Sequence, residues 1–434
     1  MYFIKYFILD ILLKNIKIIS PDENKNLVTD LFIENGYISD TIYREDINKN
    51  VKILDCSGKT AVPGLFDMHV HFREPGAEYK EDINSGIQAA ANGGFTGVLM
   101  MPNTNPPVSD RKIISLLKEK VNGKIVDVIF SATVTKNRKG AEINNIKECL
   151  EENIVAFTDD GSPVSSPRIM SEILRLSSEY GFIVMQHAED ENLFDNGVIN
   201  EGNISRMLNL KGIPAESEVS AVTQDIAIAE KNIGSRYHIQ HISSGDTCEL
   251  LSGARKFNKN ITAEVCPHHF ILTDEIVPEQ GSNAKMNPPL RTKNDVERII
   301  KGIQDGDICA ICTDHAPHSL EEKNSPIEKS PFGIIGLETS VALSYTFLVS
   351  NNKISFERLI YLMSINPRKL LKLPEIKFST GEKANITILD TGAHWTIDKN
   401  SFKSKSRNTP FDGYKVVCKP YAIINNNQIC FSEL

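Results

Sequence analysis

The stretch Pro63-Gly64-Leu65-Phe66-Asp67-Met68-His69-Val70-His71-Phe72-Arg73-Glu74-Pro75-Gly76 sets two histidines two residues apart at the end of an apolar run, with an arginine just beyond. In a β-strand, residues i and i+2 project to the same side, so His69 and His71 can grip one metal ion. Arg73 then stands within reach of a carboxylate. A single His-X-His step is more often an ordinary polar strand end, and its weight comes from what the rest of the chain repeats. From residue 62 to about 315, a short apolar run, a polar or glycine-bearing turn and a longer amphipathic stretch recur. This is βα alternation, and it predicts parallel strands. The runs end at residues 67–71, 97–101, 126–130, 154–158, 182–187, 238–241, 261–265 and 308–314. Eight parallel strands close most naturally into a (β/α)8 barrel, whose reactive groups lie where strands run out into the following loops. An open doubly wound sheet is the alternative, but no glycine-rich nucleotide fingerprint follows any of the runs.

Both ends of the chain have a different texture. Residues 12 to about 60 alternate in short β-like pieces with Gly36 and Gly58 as turn points, and residues 384–390 and 421–424 do likewise. The expectation is a small β-sandwich domain formed by both ends, residues 1–61 and 376–434, beside a catalytic barrel over residues 62–375. A length of 434 residues accommodates this, and 41% hydrophobic with 24% charged residues suits a soluble globular protein with a large core. The net charge of -8, with no basic cluster, argues against a nucleic-acid or anionic-membrane surface. The first residues, MYFIKYFILDILL, are apolar but interrupted by Lys5 and Asp10, which speaks against a signal peptide or membrane span. Eight scattered cysteines, several inside apolar runs (Cys266, Cys309, Cys312), suit reduced thiols in cytoplasm. Cys309 and Cys312 have redox-motif spacing, yet in a strand their thiols would face opposite sides.

Metal-type residues recur at the same end of different strands. His69 and His71 end the first, Asp159-Asp160 follow the fourth, His187 ends the fifth, His241 the sixth and Asp314 the eighth. Scattered structural residues have no reason to choose one barrel end. Imidazoles with carboxylates and no obligatory thiolate fit a divalent metal such as zinc in a catalytic site, and two metals could share one carboxylate. Asp159 and Asp160 are not separable on these grounds. His238, three residues before His241, is expected to point away if His241 points in. Ser243-Ser244-Gly245-Asp246 reads as a loop and helix start, which places His241 nearer the strand end. His268 and His269 are better read as loop packing. Asn103 and Asn287 sit beside prolines, where an amide can read a cyclic amide or simply form a turn. His318 has the reach of a substrate contact.

With PGLFDMHVHFREPG, MPNTNPP, AFTDDG, HIQHIS, AEVCPHH, KMNPPLR and CTDHAPH in order, the chain resembles the class I dihydroorotases of the amidohydrolase superfamily over almost its whole length. The resemblance implies a zinc enzyme that reversibly cyclises N-carbamoyl-L-aspartate to L-dihydroorotate in pyrimidine synthesis. It implies His69, His71, Asp160, His187, His241 and Asp314 as ligands of two Zn2+ ions bridged by Asp160, which resolves the choice against Asp159. It implies His71, Arg73, Asn103, Asn287, His318 and the Phe332-Gly333 backbone as substrate contacts, with Asp314 as catalytic acid–base group. Many relatives, including hydantoinases and allantoinases, bridge their metals with a carboxylated lysine, whereas residues 153–161 contain none. That favours a dihydroorotase over those cyclic-amide hydrolases, and the complete ligand set disfavours an inactive scaffold subunit. A homo-oligomer and an aspartate transcarbamoylase partner are the associations it suggests. Residues 161–167 or 325–333 are the candidate loops for closing over substrate.

Overall fold

The structure is a computed structural model, and it describes residues 10–41 and 51–434. The expectation for the apolar first residues therefore falls mainly outside the described residues. All eight expected barrel strands form: Leu65–Val70, Phe95–Met100, Asp127–Phe130, Ala156–Phe157, Ile183–Gln186, Tyr237–Ile239, Ile261–Val265 and Ala310–Ile311. Every ladder between neighbours is parallel. The first three strands make one sheet and the last five another. Parallel bridges Val70↔His315 and Ala132↔Phe157 join the two sheets at both seams, and they complete the ring. At the first seam the His71 N–H donates to the His315 carbonyl at 2.9 Å. The ring's closing hydrogen bond thus falls among the chemically interesting residues.

Local sequence sets the helices that wrap this ring. Ser166 caps the helix Pro167–Tyr180 by accepting from the Ile169 N–H, Pro167 opens it with its fixed φ, and Gly181 ends it at φ +79°. Its Ile169, Met170, Ile173 and Leu174 are buried, the helical spacing of one face turned to the barrel. Cutting Leu174 to alanine there would cost about 2–5 kcal/mol. Thr292 and Asp295 form a reciprocal capping box at the start of Lys293–Asp305. The Ser244 hydroxyl likewise caps Gly245–Arg255, the helix start read from the sequence.

The two chain ends share one sheet. Its strand order is Gln428–Phe431, Lys415–Asn425, Ile386–Thr396, Thr60–Pro63, Ile11–Ser20, Lys25–Glu34 and Tyr37–Ser39, and Lys52–Asp55 also pairs with Ile11–Ser20. Ile11, Leu13, Ile16 and Ile18 from one end meet Ile386, Ile388, Ala422 and Ile424 from the other in a common apolar core. Gly64 is the hinge between this sheet and the first barrel strand. Its N–H donates to the Asn385 carbonyl at 3.0 Å, and an added Cβ would collide with the side chains of Asn385 and Thr96. One excursion of the C-terminal end returns to the barrel mouth. There the Asn408 amide donates to the carbonyls of Ala316 (3.1 Å) and Gly333 (3.0 Å).

Candidate metal centre

The barrel's carboxyl end gathers His69, His71, Asp160, His187, His241 and Asp314, all buried. His69 Nε2 lies 3.4 Å from Asp160 Oδ1 and 3.5 Å from Asp314 Oδ1. His71 Nε2 lies 2.9 Å from Asp314 Oδ1 and 3.5 Å from Asp160 Oδ2. On the other side, His187 Nδ1 and His241 Nε2 are 3.0 Å apart, each 3.9 Å from Asp160 Oδ1. Ligands on a tetrahedral zinc at about 2.0 Å stand about 3.3 Å from one another, so these separations are those of a ligand cage. Asp160 stands between the two sides, its Oδ1 facing His69, His187 and His241 and its Oδ2 facing His71. His69 Nε2 is buried with no hydrogen-bond partner among the described residues, although it faces two carboxylates. A cation would satisfy it.

The charges agree with a site built around a cation. Burial opposes a charged His69, yet Asp160 and Asp314 raise its pKa well above the usual imidazole range. Burial likewise opposes ionised Asp160, but the His69, His71 and His187 imidazoles hold its carboxyl well below the usual range. Burial, together with the neighbouring His187 and His69, pushes His241 well below its ordinary value, which favours the neutral imidazole, the form able to bind a metal. Three of the converging residues lie at left-handed φ: Arg73 (+59°), His241 (+31°) and Asp314 (+47°). Non-glycine residues hold such angles only when the surroundings over-determine them, a feature that clusters at functional sites.

Beside the cluster is a cavity of about 170 Å³, lined by His71, Arg73, Asn103, Asn287, Asp314 and Phe332, among others. It is smaller than the roughly 300–1,000 Å³ of drug-sized pockets and suits a small ring. Asn103 accepts from His71 Nδ1 at 2.8 Å and donates to Asp160 Oδ2 at 3.1 Å, so it orients two members of the cluster as well as facing the cavity. Arg73 is anchored by donating from Nε to the Pro317 carbonyl at 3.1 Å, and its Nη2 lies 3.3 Å from His318 Nε2. His318 in turn sits 2.8 Å from the Phe332 carbonyl. Asn287 donates to Glu189 at 2.8 Å and lies 3.2 Å from His187 Nε2. Asp159 is turned away, accepting from the Thr135 N–H at 3.1 Å and from its hydroxyl. His268 and His269 are buried against each other, with His269 Nε2 2.9 Å from the Pro288 carbonyl.

A family model described as dihydro-orotase-like matches residues 58–247. The dihydroorotase of Acetivibrio thermocellus is 39% identical over 424 residues, covering 97% of this chain and 99% of that protein. The dihydroorotase of Clostridioides difficile is 41% identical over 422 residues, covering 97% and 100%. The chain belongs to the dihydroorotase family. Among solved structures, the L-hydantoinase (dihydropyrimidinase) of Arthrobacter aurescens superposes with a TM-score of 0.85 at 22% identity, over 98% of this chain and 96% of that one. That likeness shows the fold: a (β/α)8 barrel beside a β domain built by both chain ends.

This dihydroorotase-family site also contains groups that strand reading overlooked. Glu264, fully buried in the seventh barrel strand, accepts from His69 Nδ1 at 2.7 Å, which fixes the tautomer and frees Nε2 for a metal. Its other oxygen lies 3.3 Å from His238 Nε2. Strand parity was expected to turn His238 away from His241's surroundings. Instead the strand ends at Ile239 and the chain twists at His241, so parity no longer applies, and His238 reaches His69 through Glu264. A carboxylate inside Ile261-Thr262-Ala263-Glu264-Val265 was the available signal, because an apolar strand does not bury an unpaired charge. Cys309 and Cys312 make no pair, and Cys312 Sγ instead lies 3.5 Å from Cys266 Sγ.

Proposed function

We propose that this site interconverts N-carbamoyl-L-aspartate and L-dihydroorotate, with Arg73 as the group that seats the substrate's free carboxylate. The chain is a cyclic amidohydrolase of the dihydroorotase family, as its relatives over nearly full length establish. The observation that carries the substrate choice is a guanidinium lining a small cavity with no carboxylate in ion pair with it among the described residues: Nε is engaged by a backbone carbonyl and Nη2 lies 3.3 Å from His318 Nε2. A neutral hydantoin or allantoin ring offers no partner for that charge, whereas dihydroorotate does.

His69, His71, Asp160, His187, His241 and Asp314 are the residues that would hold zinc, two ions sharing Asp160. When bound, the metal polarises a carbonyl and lowers the pKa of water. Asp314 moves the proton: in ring opening its carboxylate takes one from the attacking water and delivers it to the leaving ring nitrogen. In cyclisation it takes a proton from the ureido nitrogen as that atom attacks the side-chain carboxyl carbon, and water leaves. Asn103 holds His71 and Asp160 in register, while Asn287, His318 and the Phe332-Gly333 backbone border the ring. Residues 62–375 act as the catalytic unit in this reading, with the shared end-to-end sheet as its support. Assembly as a homo-oligomer, with aspartate transcarbamoylase as a partner, completes the proposal, and the mass of the purified protein alone and mixed with that enzyme tests it.

The deciding experiment measures metal content and hydrolysis of dihydroorotate, allantoin and hydantoin on one sample. Turnover of dihydroorotate alone is expected. Preference for either neutral ring overturns the reading.

A further inference from the structure

Two lysines lie beneath the loop that borders the cavity, and neither forms an ion pair among the described residues. Lys323, at the end of the short helix Leu320–Lys323, is only 4% exposed. Its ammonium donates to the carbonyls of Lys285 (3.3 Å), Pro331 (3.1 Å) and Gly333 (3.0 Å). Lys285, 3% exposed, donates to the carbonyls of Ile327 (2.7 Å) and Glu328 (3.2 Å), and its Nζ lies 4.5 Å from the centre of the Phe332 ring. The Gly333 N–H returns to the Lys285 carbonyl at 3.0 Å. Five carbonyls thus converge on two cations. They tie residues 327–333, which carry Phe332 and Gly333, to the segment that two residues later carries Asn287.

Such an arrangement is costly. Burial and the neighbouring Lys285 charge push the Lys323 ammonium down to about 7. A methionine would fill similar space with no charge to desolvate, and apolar replacements of buried charges are often neutral or stabilising. The fold by itself gives no reason to bury these ammonium groups. A loop whose carbonyls must be held in one orientation does, because a lysine offers three donors from one point.

We infer that Lys323 is a positioning residue of the substrate site, locking the 331–333 backbone against residue 285 so that Phe332, Gly333 and Asn287 form a preformed seat for the ring. The inference rests on the dihydroorotase reading above. It places the ammonium's effect on substrate binding rather than on proton transfer, because no bond links it to Asp314 or to the metal-type residues.

The test compares zinc-loaded, full-length wild type with Lys323→Met and Lys285→Met. Two readouts are followed: amide hydrogen exchange over residues 325–333 without substrate, and steady-state hydrolysis of dihydroorotate. Loss of the lock should speed exchange in that segment about tenfold or more, and raise KM about tenfold with kcat within about threefold, since preorganisation acts on the cost of ordering the site. Unchanged exchange and KM in Lys323→Met overturns the inference, as does a fall in kcat with KM unchanged. Should Lys323→Met not fold, Lys285→Met takes its place, with the same exchange and KM changes expected and the same null result overturning it. Wild type inactive on dihydroorotate defeats the functional reading instead, while the exchange comparison still judges the lock.

Discussion

Replacing Glu264 with glutamine keeps the shape of the side chain and removes its charge. In the native protein the carboxylate accepts a hydrogen bond from His69 Nδ1 at 2.7 Å and lies 3.3 Å from His238 Nε2. The variant's amide oxygen can still accept from His69, so the tautomer and the fold are retained. What is lost is the negative charge that would make His69 a stronger donor to a metal held as proposed. Removing such a partner typically weakens metal binding about 10- to 100-fold, or roughly 1.4–2.7 kcal/mol. Glu264 is absent from the cavity lining, so substrate binding should be unaffected once metal is saturating. The assay strips wild type and Glu264→Gln with a chelator and titrates zinc back, following bound metal and dihydroorotate hydrolysis together. The variant's curve should shift to higher zinc by one to two decades and approach the wild-type plateau. A superimposable titration would refute the reasoning, and so would a depressed plateau at unchanged zinc affinity.

Asp314→Ala should abolish turnover in a protein with wild-type thermal unfolding, and normal hydrolysis by that variant would sink the assigned base. Arg73→Ala removes a charge-assisted contact of about 1.5–3 kcal/mol, on the order of ten- to a hundred-fold in KM for dihydroorotate; a KM within twofold of wild type would contradict the carboxylate seat. Away from the site, burial pushes Asp225 from 3.8 up to about 7 against the pull of the Tyr237 hydroxyl. Because the folded-state pKa is raised, the protonated form is the favoured one, and the stability it contributes is present below about pH 4 and lost as pH rises through 7. Asp225→Asn should therefore raise Tm at pH 8, by no more than about 4 kcal/mol of stability, and change it little at pH 4, as thermal scans at the two pH values would report.

The eight barrel strands were legible because each is a short apolar run with a polar exit, and the exits carry the histidines and aspartates that converge. Asp160 and Asp159 show where such reading stops. Adjacent carboxylates differ only in which way the chain turns, and that is decided by Thr135 in another loop, whose N–H and hydroxyl donate to Asp159. Glu264 escaped notice because its partner, His69, is 195 residues away in sequence. The strand-parity argument failed for His238 because it assumes a strand that continues to His241. Residues 325–333 read as a loop free to move, and the two lysines that tether it are visible only when tertiary contacts bring residues 285 and 323 together. Asn408 is a similar case, arriving at the barrel mouth from the far end of the chain.

The sheet shared by both chain ends has a consequence for how the protein is made. Strand Thr60–Pro63 finds its partner Ile386–Leu389 only after the whole barrel has left the ribosome, roughly 15–65 s later at 5–20 residues per second. Until then the strands of residues 11–63 expose an unpaired apolar edge, an open template for other chains. Loss of the last fifty residues would make that exposure permanent. Truncation near the C-terminus is thus expected to be read out as aggregation of the N-terminal strands, even though every metal-type residue would still be present.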